Sequence, residues 1–90
     1  QIEAFLSSNK DWKYEGNRLV KTYRFKDFAE AIEFLRVVRP LADSMNHHPD
    51  VCIKYNLVEV SLTTHDEGGV TEKDLELAKK IDGAYSALYS

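Results

Sequence analysis

Hydrophobic and polar positions along the 90-residue chain repeat with two periods, one typical of helices and one typical of strands. Apolar residues spaced by three and four share one side of a helix, whereas alternating residues share one side of a strand. Asp27 is the predicted N-cap of a central helix, because Glu30 follows in a capping-box pattern. Pro40 predicts a kink or a break in this helix, and the unbroken stripe favours a kink. The stripe consists of Phe28, Ala31, Ile32, Leu35, Val38, Leu41, Ala42 and Met45.

Two further helical stripes lie towards the ends of the chain. Ile2, Phe5 and Leu6 predict the tail of a short amphipathic helix. Thr71 and Asp74 have the spacing of a capping box, which predicts that the last helix begins there. The apolar stripe of that helix is Leu75, Ala78, Ile81, Tyr85 and Leu88.

Four alternating or β-branched segments predict strands. In chain order they are Trp12 to Tyr14, 19–25, 51–55 and 57–64. Turn-forming residues 15–17 separate the first two, and Asn56 separates the last two. The order α-β-β-α-β-β-α predicts an α+β two-layer sandwich, in which helices cover one face of a four-stranded antiparallel sheet. We expect one domain over residues 1–90, with the other sheet face solvated or docked to a partner.

Charge and composition exclude several functions. Twelve basic and fifteen acidic residues give a net charge of −3, and no basic run is present, so we expect no direct contact with nucleic acid. No apolar stretch reaches the roughly 18 to 20 residues that span a membrane. The single cysteine, Cys52, cannot form a disulfide within the chain. Because it lies in an apolar strand, we expect a buried thiol and a reducing compartment.

All three histidines lie between positions 47 and 65, where their side chains can exchange protons near neutral pH. Pro49 favours an extended backbone at His48, so the pair His47-His48 is predicted at a break between elements. His65 follows the last strand. If the central helix reaches residue 47, Asp43 lies one turn before His47 and can orient its ring. Neighbouring imidazoles resist double protonation, so one can act as acid and another as base in an elimination or hydration.

The residue types alone leave other interpretations open. His47 and His48 can simply cap the C-terminus of the helix, where an imidazolium is favourable. The three histidines with Asp43 or Asp66 can form a zinc site, although their spacing lacks the compact pattern of common zinc signatures. Trp12 is either a core residue or an aromatic wall for a flat ligand.

These residues resemble the pterin-4a-carbinolamine dehydratase family, also known as the dimerisation cofactor of a homeodomain transcription factor. The family pattern is an acid, three residues, His-His-Pro, five residues, an aromatic, nine residues, His, eight or more residues and Asp. This sequence meets it with Asp43, His47-His48-Pro49, Tyr55, His65 and Asp74. The resemblance extends from about Trp12 to the last helix. Asp43 stands where many members have Glu, so its reach is shorter by one methylene.

The resemblance implies a dehydratase that removes water from 4a-hydroxytetrahydropterin in tetrahydrobiopterin recycling, giving a quinonoid dihydropterin. It requires no metal and no redox cofactor. By the family pattern His47, His48 and His65 form the catalytic set. The substrate-binding residues are then Asn46, Pro49, Thr63, Thr64, Asp66 and Trp12, and the supporting residues are Asp43 and Asp74.

The resemblance also implies partners and a location. Besides the small-molecule pterin, we expect a homodimer or a homotetramer, because a sheet edge and the last helix leave unpaired and apolar surface. The alternative function is an oligomeric adaptor or transcriptional coactivator module with a transcription-factor partner. We expect the protein in the cytoplasm, with the nucleus as a further location.

Overall fold

The computed structural model describes residues 1–89, in which three α-helices and four strands alternate in the predicted order. The α-helices are α1 (Ile2–Ser8), α2 (Phe28–Met45) and α3 (Glu72–Tyr89), the strands are β1 (Lys13–Glu15), β2 (Arg18–Arg24), β3 (Asp50–Lys54) and β4 (Leu57–Leu62), and a 3-10 helix spans His65–Glu67. The predicted α+β class is therefore confirmed. Within these residues, none of the helices combines the length and the apolar character that crossing a membrane needs.

The sheet is antiparallel throughout and its strand order is β1-β2-β4-β3. Strand β4 is therefore internal, and β3 forms one edge. Asp50 at the start of β3 pairs with Ser61 near the end of β4. The chain that enters β3 after Pro49 and the chain that leaves β4 towards His65 consequently lie at the same end of the sheet.

The core lies between one face of the sheet and the helices α2 and α3. Side chains of β2 and β4 alternate in burial, as a sheet covered on one face requires. Rings from the sheet and from both helices pack with centroids 5.0 to 5.9 Å apart, and each fully buried side chain of this size contributes about 1.5–3 kcal/mol. This aromatic group is Tyr23, Phe25, Phe34, Tyr85 and Tyr89.

Several details of the predicted helix stripes are wrong. Phe34 is fully buried although it lies outside the predicted stripe, and Phe28 is 49% exposed. Leu88 is also exposed. Phe28 and Leu88 lie in the terminal turns of their helices, where little of the sheet covers them. Pro40 does not break α2, which runs through it, and its ring lies on the exposed side.

The prediction of a buried Cys52 is also wrong, because this side chain is exposed. Cys52 pairs with Glu59, which faces away from the helices. Alternation along a strand therefore places the thiol on the uncovered face of the sheet. Even Val51, on the other face of β3, is 47% exposed, because this edge strand lies beyond the cover of the helices.

Candidate functional site

Helix α2 ends at Met45, and the next residue, Asn46, is its C-cap and directly precedes the histidine pair. Asn46 adopts the left-handed conformation, with φ 49° and ψ 42°, which a short polar side chain tolerates well. Its N–H donates to the carbonyl of Asp43, and the N–H of His47 donates to the carbonyl of Ala42 at 3.1 Å. His47 is therefore outside the helix, so the condition for the predicted contact between Asp43 and His47 is not met.

The carboxylate partner of His47 comes instead from the first turn of α3. His47 Nε2 lies 2.5 Å from Asp74 Oδ1. The side chain of His47 is 11% exposed and that of Asp74 is fully buried. The expectation that Asp43 contacts His47 is corrected accordingly: a residue 27 positions further along the chain takes that place.

Asp74 joins three segments of the chain. Its Oδ2 accepts hydrogen bonds from Thr64 Oγ1 at 2.7 Å and from the N–H of Thr71 at 2.9 Å. The two threonine hydroxyls lie 2.8 Å apart. The Thr71 bond is the predicted capping contact, while the His47 and Thr64 bonds supply the partners that a buried carboxylate needs. We call His47, Thr64, Thr71 and Asp74 the Asp74 cluster.

His48 lies on the solvent side of the same corner. Its Nε2 is 2.8 Å from Asp43 Oδ1, and Arg39 Nε is 3.3 Å from Asp43 Oδ2. The hydrogen bond to His48 lowers the pKa of the Asp43 carboxyl below its ordinary value; partial desolvation opposes this shift and the charge of Arg39 adds to it. The His48 side chain is 56% exposed. The two adjacent histidines thus have different carboxylate partners and different access to water.

His65 begins the 3-10 helix and its side chain is exposed. In residues 1–89 no hydrogen bond or ion pair engages this imidazole. Its backbone is nevertheless fixed, because Thr64 pairs with Gly69 across the intervening loop. Thr64 also donates to Asp74, which contacts His47. The structure therefore brings the segment that carries His65 to the same carboxylate that orients His47.

The remaining predicted site residues border this corner or lie elsewhere. Asn46 and Asp66 are exposed and Pro49 is half-buried. Thr63 Oγ1 donates to the carbonyl of Asn17 at 3.0 Å, which ties the end of β4 to the first hairpin.

Trp12 belongs to a different group of residues. Its ring is buried, and Nε1 donates to Asp82 Oδ2 at 2.8 Å. Lys21 Nζ and the Tyr23 hydroxyl donate to Asp82 Oδ1 at 2.7 and 2.5 Å. Asp82 follows Asp74 by eight residues on α3, which is about 12 Å along the axis. The predicted role of Trp12 as a wall of the site is therefore not supported.

Asp82 was not among the predicted residues, although its position offered a signal. It lies four residues after Ala78 and three before Tyr85, beside the apolar stripe of the last helix. Burial first, and then Asp82, raise the pKa of Tyr23 far above its ordinary value. Lys21 Nζ lies 4.7 Å from the centroid of the Tyr23 ring. We call Trp12, Lys21, Tyr23 and Asp82 the Asp82 cluster.

The zinc alternative has no ligand set in the part of the chain that the structure describes. No group of three or more His, Cys, Asp or Glu side chains in residues 1–89 is placed to hold a metal ion. What the corner does offer is two imidazoles held through Nε2 by separate carboxylates. Such imidazoles can donate and accept protons at their other ring nitrogen.

Comparisons with known proteins agree with this geometry. The family model described as pterin 4 alpha carbinolamine dehydratase matches residues 1–84. A protein of Sulfurisphaera tokodaii, provisionally named pterin-4-alpha-carbinolamine dehydratase, is 60% identical over 82 residues, which cover 91% of this chain and 88% of the relative. The crystal structure of a transcriptional coactivator/pterin dehydratase from Brucella melitensis is 32% identical, covers 92% of this chain and 90% of its own, and gives a TM-score of 0.87.

A more distant solved structure shares the fold alone. It is a pterin dehydratase-like protein identified as a RuBisCO assembly factor in the alpha-carboxysome, 19% identical with a TM-score of 0.66, over 81% of this chain and 84% of its own. Together these likenesses define a protein with the pterin dehydratase fold. With the family match over most of its length, the chain belongs to the pterin 4 alpha carbinolamine dehydratase family.

Proposed function

We propose that this protein removes water from 4a-hydroxytetrahydropterin and releases a quinonoid dihydropterin, a step of tetrahydrobiopterin recycling. The observation that carries the proposal is the pair of adjacent imidazoles in unlike surroundings. His47 is nearly buried against Asp74, whereas His48 is open to solvent beside Asp43. An elimination needs one proton donor and one proton acceptor, and two imidazoles in different environments can divide these tasks.

The reaction balances with proton transfers alone. The hydroxyl at C4a takes a proton and leaves as water, with the electron pair of the C4a–O bond. The hydrogen on N5 leaves as a proton, and the electron pair of its bond forms the C4a–N5 double bond. No external electron donor or acceptor takes part, and the substrate loses one water. In our proposal His47, His48 and His65 supply the donor and the acceptor.

The pterin ring would lie at the end of the sheet where β3 begins and β4 ends. The pairing of Asp50 with Ser61 and the bond from Thr64 to Asp74 support this position, since they bring both histidine-bearing segments to it. In the proposal the ring is bordered by Asn46, Pro49, Thr63, Thr64 and Asp66.

Turnover of chemically generated carbinolamine tests the proposal. We expect His47→Ala, His48→Ala and His65→Ala to lower the dehydration rate, by about 10²- to 10⁴-fold wherever the imidazole transfers a proton. Arg36→Gln is the matched control, because Arg36 is an exposed residue of α2 whose ion pair with Glu33 lies away from the histidines. Wild-type rates in all three histidine variants would refute the proposal.

A second candidate is an oligomeric adaptor or transcriptional coactivator on the same scaffold. It is favoured by the likeness to the Brucella melitensis protein, which is described as a transcriptional coactivator, and by the exposed sheet edge, where Val51 of β3 and Tyr55 in the following turn face solvent. Light scattering would distinguish a homodimer from a homotetramer. NMR would distinguish the two functions: a pterin analogue should shift the histidine resonances of a dehydratase, and should leave those of a pure adaptor unchanged.

A cytoplasmic location is part of the proposal, because the exposed Cys52 thiol suits a reducing compartment.

A further inference from the structure

The hydroxyl groups of the Asp74 cluster can be oriented in only one way. A threonine hydroxyl has one hydrogen to donate. Thr64 donates its hydrogen to Asp74 Oδ2, so the 2.8 Å contact between Thr64 and Thr71 requires Thr71 as the donor. Thr71 Oγ1 can still accept, and the N–H of Lys73 reaches it at 3.3 Å. The chain of hydrogen bonds therefore runs in one direction, from Thr71 through Thr64 to Asp74.

In its ionised form the carboxylate of Asp74 can only accept hydrogen bonds. Oδ2 receives hydrogens from the Thr64 hydroxyl and from the N–H of Thr71. Oδ1 faces His47 Nε2 at 2.5 Å. An ionised Asp74 has no hydrogen of its own to donate, so Nε2 carries the hydrogen that lies between His47 and Oδ1. In the neutral ring the lone pair is then on Nδ1.

We propose that Thr64 is a positioning residue that, through Asp74, holds His47 in the tautomer with its hydrogen on Nε2. The inference deepens the proposed dehydratase function and rests on it for the catalytic step. In that step Nδ1 of His47 takes the proton that leaves N5, while a second imidazole protonates the departing hydroxyl. The imidazolium that forms on His47 keeps its Nε2–H bond to Asp74, as the carboxylate beside a catalytic histidine does in general.

Thr64 also links this tautomer to the position of the third histidine. It is the residue directly before His65, and it is itself buried, with 8% of its surface exposed. Its backbone pairs with Gly69 and its side chain donates to Asp74. The hydroxyl of Thr64 therefore bonds the carboxylate that contacts His47, and its backbone fixes the start of the segment that carries His65.

The test combines ¹⁵N NMR of the imidazoles with steady-state kinetics. His47→Gln assigns the His47 resonances. In the wild-type protein we expect neutral His47 to carry its hydrogen on Nε2. Thr64→Val keeps the shape of the side chain and removes the hydroxyl, so the tautomer should become mixed and kcat should fall about tenfold or more with little change in KM. Thr64→Ser restores the hydroxyl and should restore both.

Thr22→Val is the matched control, since it makes the same change on an exposed position of β2. It should leave the ¹⁵N shifts and kcat at wild-type values. A wild-type His47 with its hydrogen on Nδ1, or unchanged ¹⁵N shifts in Thr64→Val, would overturn the inference. If Thr64→Val fails to fold, the wild-type tautomer and the Thr64→Ser variant decide. A wild-type protein that does not turn over carbinolamine refutes the dehydratase function, while the tautomer measurement still decides the role of Thr64.

Discussion

Helix α3 carries two carboxylates, two turns apart, one fully buried and one 23% exposed, that accept the same number of hydrogen bonds from very different partners. Each receives three bonds from groups that lie on other segments or at the start of the helix. The donors are Thr64, Thr71 and His47 for Asp74, and Trp12, Lys21 and Tyr23 for Asp82.

The partners differ in whether they can change their protonation near neutral pH. An indole, an ammonium and a phenol keep their hydrogens there, whereas an imidazole can gain or lose a second ring hydrogen. The Asp82 cluster therefore acts as a fixed link between α3, β2 and the chain before β1. The Asp74 cluster contains one group that can exchange a proton. The number of hydrogen bonds to a carboxylate therefore does not distinguish the two clusters, whereas the nature of the partners does.

The sharpest test of this comparison replaces each carboxylate in turn by its amide. In Asp74→Asn an amide donor faces groups that are already donors, so His47 loses its fixed orientation. We expect the dehydration rate of Asp74→Asn to fall by about 10²- to 10⁴-fold. Asp82→Asn, assayed well below its melting temperature, should retain a rate near that of the wild type. Equal losses of rate in the two variants would contradict the distinction.

Loss of the Asp82 carboxylate should instead be measurable in the stability of the fold. Asp82→Ala removes the 2.7 Å ion pair of Lys21, whose side chain is 14% exposed, and leaves it only the 3.9 Å contact with the exposed Asp11. Removing one member of such a pair costs about 3 kcal/mol or more in the free energy of unfolding. Urea denaturation measures the loss. Glu76→Ala, which removes an exposed ion pair with Lys80 on the same helix, is the control and should cost less than about 1 kcal/mol.

Tyr23→Phe should produce a smaller loss that depends on pH. It removes one hydrogen bond to Asp82, worth about 1–2 kcal/mol at neutral pH. Burial raises the pKa of Tyr23 in the native state, so its contribution is fully present below the ordinary tyrosine value of about 10 and is lost as the pH rises above it. Alkaline unfolding curves should therefore be steeper for the wild type than for Tyr23→Phe. Parallel curves would show that Tyr23 ionises alike in both states.

The smallest effect is expected at the exposed pair of Asp43 and His48. The pKa of Asp43 is lowered in the native state, so the pair stabilises the fold above the ordinary aspartate value of about 3.9 and stops doing so as the pH falls through the native pKa. His48→Gln should raise the pKa of Asp43 towards its ordinary value. A carboxyl NMR titration measures this shift, and an unchanged titration would show that His48 is not its main cause.

The fold was largely predictable because its determinants are local. Three- and four-residue spacing places α2 and α3, and capping patterns at Asp27 and Thr71 mark where they begin. The exposed Cys52 was missed for a different reason. Burial of a strand residue depends on its position in the sheet, and sequence alternation does not reveal that β3 is an edge.

The site was predictable only in part, because its decisive contacts join distant segments. Family spacing pointed to the three histidines and to Asp74, but not to which carboxylate meets which ring. That pairing follows from the end of α2 at Met45 and from the docking of α3, and the docking of α3 is not encoded near His47. The contact of Trp12 with Asp82, 70 residues away, is of the same kind.

The left-handed turn at Asn46 has one further consequence for the chemistry. It ends α2 just before the histidine pair, so that two identical residues lie in different surroundings. His47 contacts Asp74 of α3 and its side chain is 11% exposed, whereas His48 contacts Asp43 of α2 and its side chain is 56% exposed. Inserting a single residue after Asn46 would move His47 to the outer position and place the inserted residue at the inner one, so the different surroundings of the two imidazoles depend on the spacing at this corner.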